Sequence, residues 1–431
     1  MKLFAIAVVL FCALCAASAS LEPSSVSPIL PWRLDVPQSQ LDDLRHRLES
    51  AILPTELEDV GDWSWGPPVS FLSTMRSYWL ETYDWRDREK KFNEALVNQY
   101  MTMIDGLKTH FVHVRSRNES AVPLLFSHGW PGSVLECTKI IPLLTDHFHV
   151  ICPSIPGYFF SEPPHKQGYD AQRVAEVFSG LMKQLGYKYY LAQGGDWGSE
   201  ISRWLGIIDP NCIAIHINMV TAQFPLTHNS AWGILASIKT VIQVLFPTWF
   251  FDETEITYLD WMQTYAFKQS AYMHYQMTMP QSLAYAFSDS PLGLAAYLWE
   301  KYNNWADLKN GSLMETFTKD ELIDFVMVYW VSNSISSSMR LYRETVPKMI
   351  TEAQPYQHKP TAVAAFRDLV MPKAWVIYYF NIVRWTYQPY GGHFAALEAP
   401  ELLAKDIIEF SYALGSSFEN GFIPPKEKDE M

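Results

Sequence analysis

The chain has 431 residues, 48% of them hydrophobic and 18% charged, which supports a large α/β domain with an insertion and excludes global disorder. Asp and Glu number 46 against 33 Lys and Arg, a formal net charge of -13, and without a basic run nucleic acid is not an expected partner. Aromatic residues reach 15%, as suits a large core or a bulky apolar pocket.

The chain opens with Met1-Lys2 and an uncharged run from Leu3 to Leu21. Lys2, the apolar stretch to Ala16 and the small residues Ala17-Ser18-Ala19 have the form of a cleaved signal peptide. The same run approaches the roughly 20 residues of a retained membrane anchor. Either form sends the chain into the secretory pathway and sets residues 1–20 apart. Sequons at Asn118 and Asn310 fit a lumenal or exported body. Cleavage would leave Cys137, Cys152 and Cys212, each in or beside an apolar run. They read as buried thiols, not as a disulfide framework or metal ligands.

Ser39 and Asp42 open a helix with Leu41, Leu44, Leu48 and Ile52 on one face. A second helix groups Phe71, Met75, Tyr78 and Trp79. The turn Asp105-Gly106 joins extended pieces over 100–104 and 107–114. Strands are then expected at 122–127, 149–152, 189–193 and 213–219. Helices alternate with them over 134–144, around Val174 to Leu185 with a stop at Gly186, and from Ile201 to Ile208 before Pro210. This alternation is that of a doubly wound, mostly parallel α/β sheet.

The alternation breaks near residue 220. Residues 221–355 read as a helical, aromatic-rich insertion, and strands resume at 361–366 and 382–387, with a helix between them and another after Pro400. Within the insertion, Ala231 to Phe251 carries one charge, Lys239. It reads as a buried cap helix in preference to a membrane-contacting surface, because Pro247 interrupts it.

Gly194-Gly195-Asp196-Trp197-Gly198 falls between a strand and a helix. Small residues two before and two after the central residue are the pattern of a nucleophile elbow, the sharp turn that presents a side chain above the sheet. The central residue is Asp196 in place of the usual Ser, and a carboxylate attacks carbon by displacement to leave an ester. The bland alternative is a glycine-rich turn with an Asp capping the next helix. His128-Gly129-Trp130-Pro131-Gly132-Ser133 follows the 122–127 strand, where an α/β-hydrolase draws its first oxyanion N–H. The amides of Trp130 and Trp197 are the expected donors. Gly391-Gly392-His393-Phe394 follows the last strand, so His393 completes the order nucleophile, acid, His. Asp368, behind the preceding strand, is the expected acid. Glu398 is the second choice.

Together these motifs resemble the epoxide hydrolases of the α/β-hydrolase superfamily, and within them the microsomal-type branch that includes the juvenile hormone epoxide hydrolases. The resemblance runs from Pro31 to Leu414 and also takes in Ile151 to Tyr158. It implies an α/β-hydrolase fold with an N-terminal extension over 21–100, a core over 101–220 and 356–431, and a helical cap over 221–355. It implies two cap tyrosines over the epoxide oxygen, matched by Tyr272 and Tyr342. It implies a small apolar epoxide and water as partners, a vicinal diol as product, no metal or organic cofactor, and association with a membrane surface. The branch often has Glu as its acid where this chain has Asp368. Phe159 stands where Gly is expected, which narrows that loop or the pocket. A haloalkane dehalogenase would share Asp196 and could use the Trp197 indole, but it has no use for the tyrosine pair. A catalytically silent carrier of an apolar hormone or lipid would not need Asp196, Asp368 and His393 together.

Overall fold

The computed structural model describes residues 27–223, 231–308 and 311–415. The leader over 1–20 and the sequon asparagine Asn310 lie outside the described residues. Nine strands form one sheet: β1 (Leu30–Pro31), β2 (Gln99–Ile104), β3 (Leu107–Val114), β4 (Val122–Ser127), β5 (Phe148–Pro153), β6 (Tyr190–Gly194), β7 (Cys212–Ile217), β8 (Gln357–Ala365) and β9 (Phe380–Tyr387). Their order is β1-β2-β3-β5-β4-β6-β7-β8-β9. The first three pairings are antiparallel and the other five parallel. From β4 the chain winds one way to β5 and the other way to β6, so the carboxyl ends of β4 and β6 border the crevice where such sheets bind ligands.

β5, β6 and β7 are buried at every residue. Helices cover both faces of a parallel sheet, which is why these strands are mostly apolar, interrupted only by His149, Gln193 and His216. The helices Ala171–Gln184 and Trp197–Ile208 pack on the sheet as the alternation requires. The helix after β4 begins with a tight turn over Val134–Glu136, capped by the Ser133 hydroxyl, and continues as Cys137–Leu144.

The cysteine expectation fails at two positions. Cys137 and Cys152 form a disulfide, with Cα atoms 6.8 Å apart. β4 and β5 are neighbours, so the helix leaving β4 starts over the end of β5. Cys212 is the buried thiol expected.

The N-terminal segment forms helices Gln38–Ser50, Val69–Glu81 and Trp85–Ala95. Pro37, not Ser39, precedes the first of them, and Ile52 lies beyond its end and is exposed. The third helix and β1 have no signature in apolar spacing. Hydrogen bonds hold that helix in place: Glu89 accepts from the Val36 amide at 2.7 Å, and Asn93 bonds both the N–H and the carbonyl of Leu34. Phe159 has φ +51°, the left-handed region that favours glycine. Its ring packs on Phe160, His110 and Trp32 and is not part of the cavity wall.

Between β7 and β8 the chain is helical, including Glu253–Thr264, Ala271–Thr278, Pro291–Trp305, Lys319–Ser332 and Ile335–Thr351. The expectation of a buried helix after residue 231 is overturned. Helix Ala231–Leu245 ends before Pro247, as that residue dictates, but from Ile238 onward its apolar side chains face outward. Ile238, Val241, Val244, Leu245 and Trp249 are exposed, whereas Thr240 and Gln243 are buried. On the inward face the Trp375 indole N–H donates to Gln243 at 2.9 Å. Among the described residues, no helix is long and apolar enough to cross a membrane.

Candidate active site

β6 ends at Gly194 and the next helix starts at Trp197, leaving Asp196 on the turn with φ +49° and ψ -126°. A non-glycine residue holds such a conformation only where its surroundings impose it. A Cβ on Gly194 would overlap the Gly198 backbone, and one on Gly198 would overlap the Ser127 carbonyl at the end of β4. The small residues therefore let strand and helix cross closely enough to form the elbow.

The turn divides the two oxygens of Asp196. Oδ1 accepts the Trp130 amide at 2.7 Å, and the Trp197 amide also bonds the carboxylate. Oδ2 lies 3.7 Å from Nε2 of His393. Burial raises the Asp196 pKa, against the pull of His393 and the two amides.

His393 sits on the loop after β9, and the loop is tied down by its backbone. The His393 N–H donates to the Trp305 carbonyl at 3.0 Å. Glu398, the second choice for the acid, is used here: its carboxylate accepts the amides of Asp307, Gly392 and Phe394 at 2.6, 3.0 and 2.9 Å. The partner of the imidazole is Asp368, with Oδ1 3.0 Å from Nδ1. Asp368 lies in the loop after β8, not at a helix start. Burial lowers the His393 pKa, but the negative charges of Asp368, Asp196 and Glu136 outweigh it and push it up to about 9.

Two phenols close the site from the cap. Tyr272 is on Ala271–Thr278 and Tyr342 on Ile335–Thr351; both are buried, with ring centroids 5.7 Å apart. Trp130 supports both, stacking on Tyr272 at 5.2 Å and meeting Tyr342 edge-on at 5.7 Å. The Tyr342 hydroxyl is buried with no protein partner of good hydrogen-bond geometry among the described residues. Desolvation raises both phenols well above their ordinary pKa, so they are neutral donors.

These side chains border a cavity of about 570 Å³. Its other walls are largely apolar, including Trp261, Met273, Val346 and Met371. Asp196, His393, Asp368, Tyr272, Tyr342 and Trp197 all line it, and the Trp130 amide bonds Asp196 from behind that wall. Among the described residues no group of His, Cys, Asp and Glu is arranged to hold a metal ion.

Sequence reasoning missed Tyr265. Its hydroxyl is 2.8 Å from that of Tyr272. It begins a five-residue π-helical turn, Tyr265–Gln269, a local irregularity frequent at functional sites. Lys301 was missed too. Its ammonium is buried 5.0 Å from the Tyr272 ring centre and pairs with Glu300 at 2.8 Å. Lys301 is marked only by the meeting of its helix with that of Tyr272, and Tyr265, seven residues before Tyr272, only by the turn between them.

A sheet with this winding and a carboxylate on its elbow define an α/β-hydrolase whose nucleophile position holds Asp in place of Ser. Known proteins narrow the class. The family description "Epoxide hydrolase N terminus" matches residues 29–137, and "alpha/beta hydrolase fold" matches 122–254. Epoxide hydrolase 1 of Sus scrofa is 36% identical across 89% of this chain and 88% of its own. Juvenile hormone epoxide hydrolase 2 of Ctenocephalides felis is 35% identical, over 88% and 84%. The crystal structure of juvenile hormone epoxide hydrolase from the silkworm Bombyx mori superposes with a TM-score of 0.80 at 30% identity, covering 91% of this chain and 95% of that one. The chain belongs to the epoxide hydrolase family, and it is an enzyme of that activity.

Proposed function

We propose that this enzyme takes an apolar epoxide and that the seven residues above divide its hydrolysis into two steps. Oδ2 of Asp196 attacks an epoxide carbon from the side opposite the departing oxygen. Tyr272 and Tyr342 donate hydrogen bonds to that oxygen as charge develops on it. One phenol passes its proton to that oxygen, giving a hydroxyalkyl ester of Asp196, and regains a proton when Asp196 is released as the acid and ionises again. His393, held in orientation by Asp368, then takes a proton from the water that attacks the ester carbonyl. The Trp130 and Trp197 amides hold the resulting oxyanion, each contributing about 3 kcal/mol in comparable sites. The vicinal diol departs.

The observation that carries this reading is the division of Asp196. One oxygen is bound by the Trp130 amide at 2.7 Å, and the carboxylate shares a cavity with two cap phenols. The indole N–H of Trp197, without a hydrogen-bond partner among the described residues, would suit a halide, but a dehalogenase has no oxygen for the phenols to serve. The test is turnover of a terpenoid epoxide, a fatty-acid epoxide and styrene oxide by wild type and Asp196→Ala. Diol formation is expected in wild type and background rates in the variant. Normal turnover in the variant would reject Asp196 as nucleophile.

We further propose a lumenal or exported location and contact with a membrane surface. The leader-like N-terminus and the disulfide support the first. The outward apolar side of Ala231–Leu245 supports the second. Vesicle flotation of Leu245→Ser with Trp249→Ser should show weakened binding, and undiminished binding would exclude this face.

A further inference from the structure

Behind Asp196 lies a second, smaller chamber. It is bordered by Glu136, Gly129 and Gly132 on one side and by the His393 loop on the other. Among the described residues, only Asp196 and His393 line both it and the substrate cavity. It offers about 10 Å³ to the centre of a water molecule, which is room for one. Four polar side chains face it, Glu136, Asp196, Asn218 and His393, and a buried water needs two to four partners.

Glu136 is the carboxyl group of this chamber that takes no part in the two steps described so far. Its position is prepared. A Cβ on Gly132 would overlap Oε1 of Glu136, so the glycine leaves the carboxyl its place. The amides of Gly129 and Ser133 donate to it. Desolvation pushes its pKa up to about 7, with the His393 charge opposing the rise and the Asp196 charge adding to it.

We propose that this chamber holds the hydrolytic water and that Glu136 positions it between His393 and Cγ of Asp196. An apolar substrate that fills the main cavity, and remains there as the ester, leaves no path for water from that side. The chamber delivers water from the opposite side, where the imidazole can reach it. The water oxygen bonds to Cγ of Asp196 while its proton passes to Nε2 of His393. The bond from Cγ to the alkyl oxygen then breaks, and the proton moves from His393 to that oxygen to complete the diol. Glu136 accepts a hydrogen bond from the water and keeps a lone pair aimed at the carbonyl carbon. It is a positioning residue for the second step and has no part in the first.

The inference rests on the Asp196 ester, and its test separates the two. Styrene oxide, or the substrate above with the fastest turnover, is mixed with excess enzyme and quenched over time, and the Asp196 ester is followed by peptide mass. In Glu136→Gln the ester should form within about twofold of the wild-type rate and disappear about tenfold or more slowly, so that kcat falls and the ester accumulates. Glu136→Asp, which retracts the carboxyl by one methylene, should show the same split with a smaller loss. An ester that decays at the wild-type rate in both variants overturns the chamber's role. Equal slowing of both steps, or failure of both variants to fold, would make Glu136 a structural residue and also overturn it. Absence of any ester in His393→Gln would instead remove the two-step mechanism on which the proposal stands.

Discussion

The floor and the roof of the substrate cavity are built by different means. On the floor, Asp196, His393 and Asp368 stand on loops at the carboxyl ends of β6, β9 and β8, and backbone amides fix them: Trp130 on Asp196, and the bonds of the Glu398 carboxylate under the His393 loop. On the roof, Tyr272 and Tyr342 come from two helices of the insertion and are held by ring contacts with Trp130 and with each other. Position on the floor comes from the chain path, and position on the roof from packed side chains. The floor should therefore respond to substitution step by step in the chemistry, and the roof by degrees.

The hardest test of that contrast is His393→Gln. Loss of the base should leave ester formation in place and slow ester hydrolysis about 10²–10⁴-fold, so that peptide mass shows a persistent adduct on Asp196. Bound substrate without an adduct would mean that floor and roof do not act in sequence. Next comes the roof. Tyr272→Phe or Tyr342→Phe alone should cost roughly 1–3 kcal/mol in the rate of ester formation, the range for a hydrogen bond to a charged group. Together they should cost far more, because one phenol partly covers for the other. An unchanged single-turnover rate in the double variant would reject the pair.

The charge on the floor gives a pH signature. His393 is raised to about 9 by Asp368, Asp196 and Glu136 against the effect of burial. A raised pKa keeps the imidazole protonated, and unfit to act as a base, until the pH climbs past that value. Ester formation neutralises Asp196 and removes one of the three supporting charges. The midpoint for ester hydrolysis, measured in quenched single turnovers across pH, should therefore fall below 9. A midpoint at or above 9 would mean that Asp196 does not influence its neighbour. The smallest effect belongs to Tyr265→Phe. Removing its bond to the Tyr272 hydroxyl should cost about 0.5–1.5 kcal/mol in ester formation. No measurable change would confine the roof to two phenols.

The same contrast governs what could be read before the structure was seen. β5, β6 and β7 stood out because burial on both faces makes a strand mostly apolar. The elbow stood out because close backbone crossing permits only small residues at Gly194 and Gly198. Both are local constraints and leave local marks. The helix Trp85–Ala95 left none, because its sequence is polar and its place is set by bonds from Glu89 and Asn93 to a strand-like segment some fifty residues earlier. The Cys137–Cys152 bridge depends on β5 lying beside β4, a fact of topology. The helix Ala231–Leu245 misled because composition alone does not say which side faces inward, and two polar residues supply its buried contacts. Tyr265 and Glu136 share the site only after distant elements meet.

The tryptophans around Asp196 have a use outside the chemistry. Trp130 and Trp197 flank the carboxylate through their amides and touch Tyr342 with their rings, and Trp305 lies 5.1 Å from the His393 ring. An indole's emission depends on the charges and dipoles beside it. Converting Asp196 from an anion to a neutral ester alters that field for three indoles at once, and water attack restores it. The enzyme thus carries an intrinsic optical gauge of its own alkylation state, readable in a stopped-flow fluorimeter without a dye or a coloured substrate.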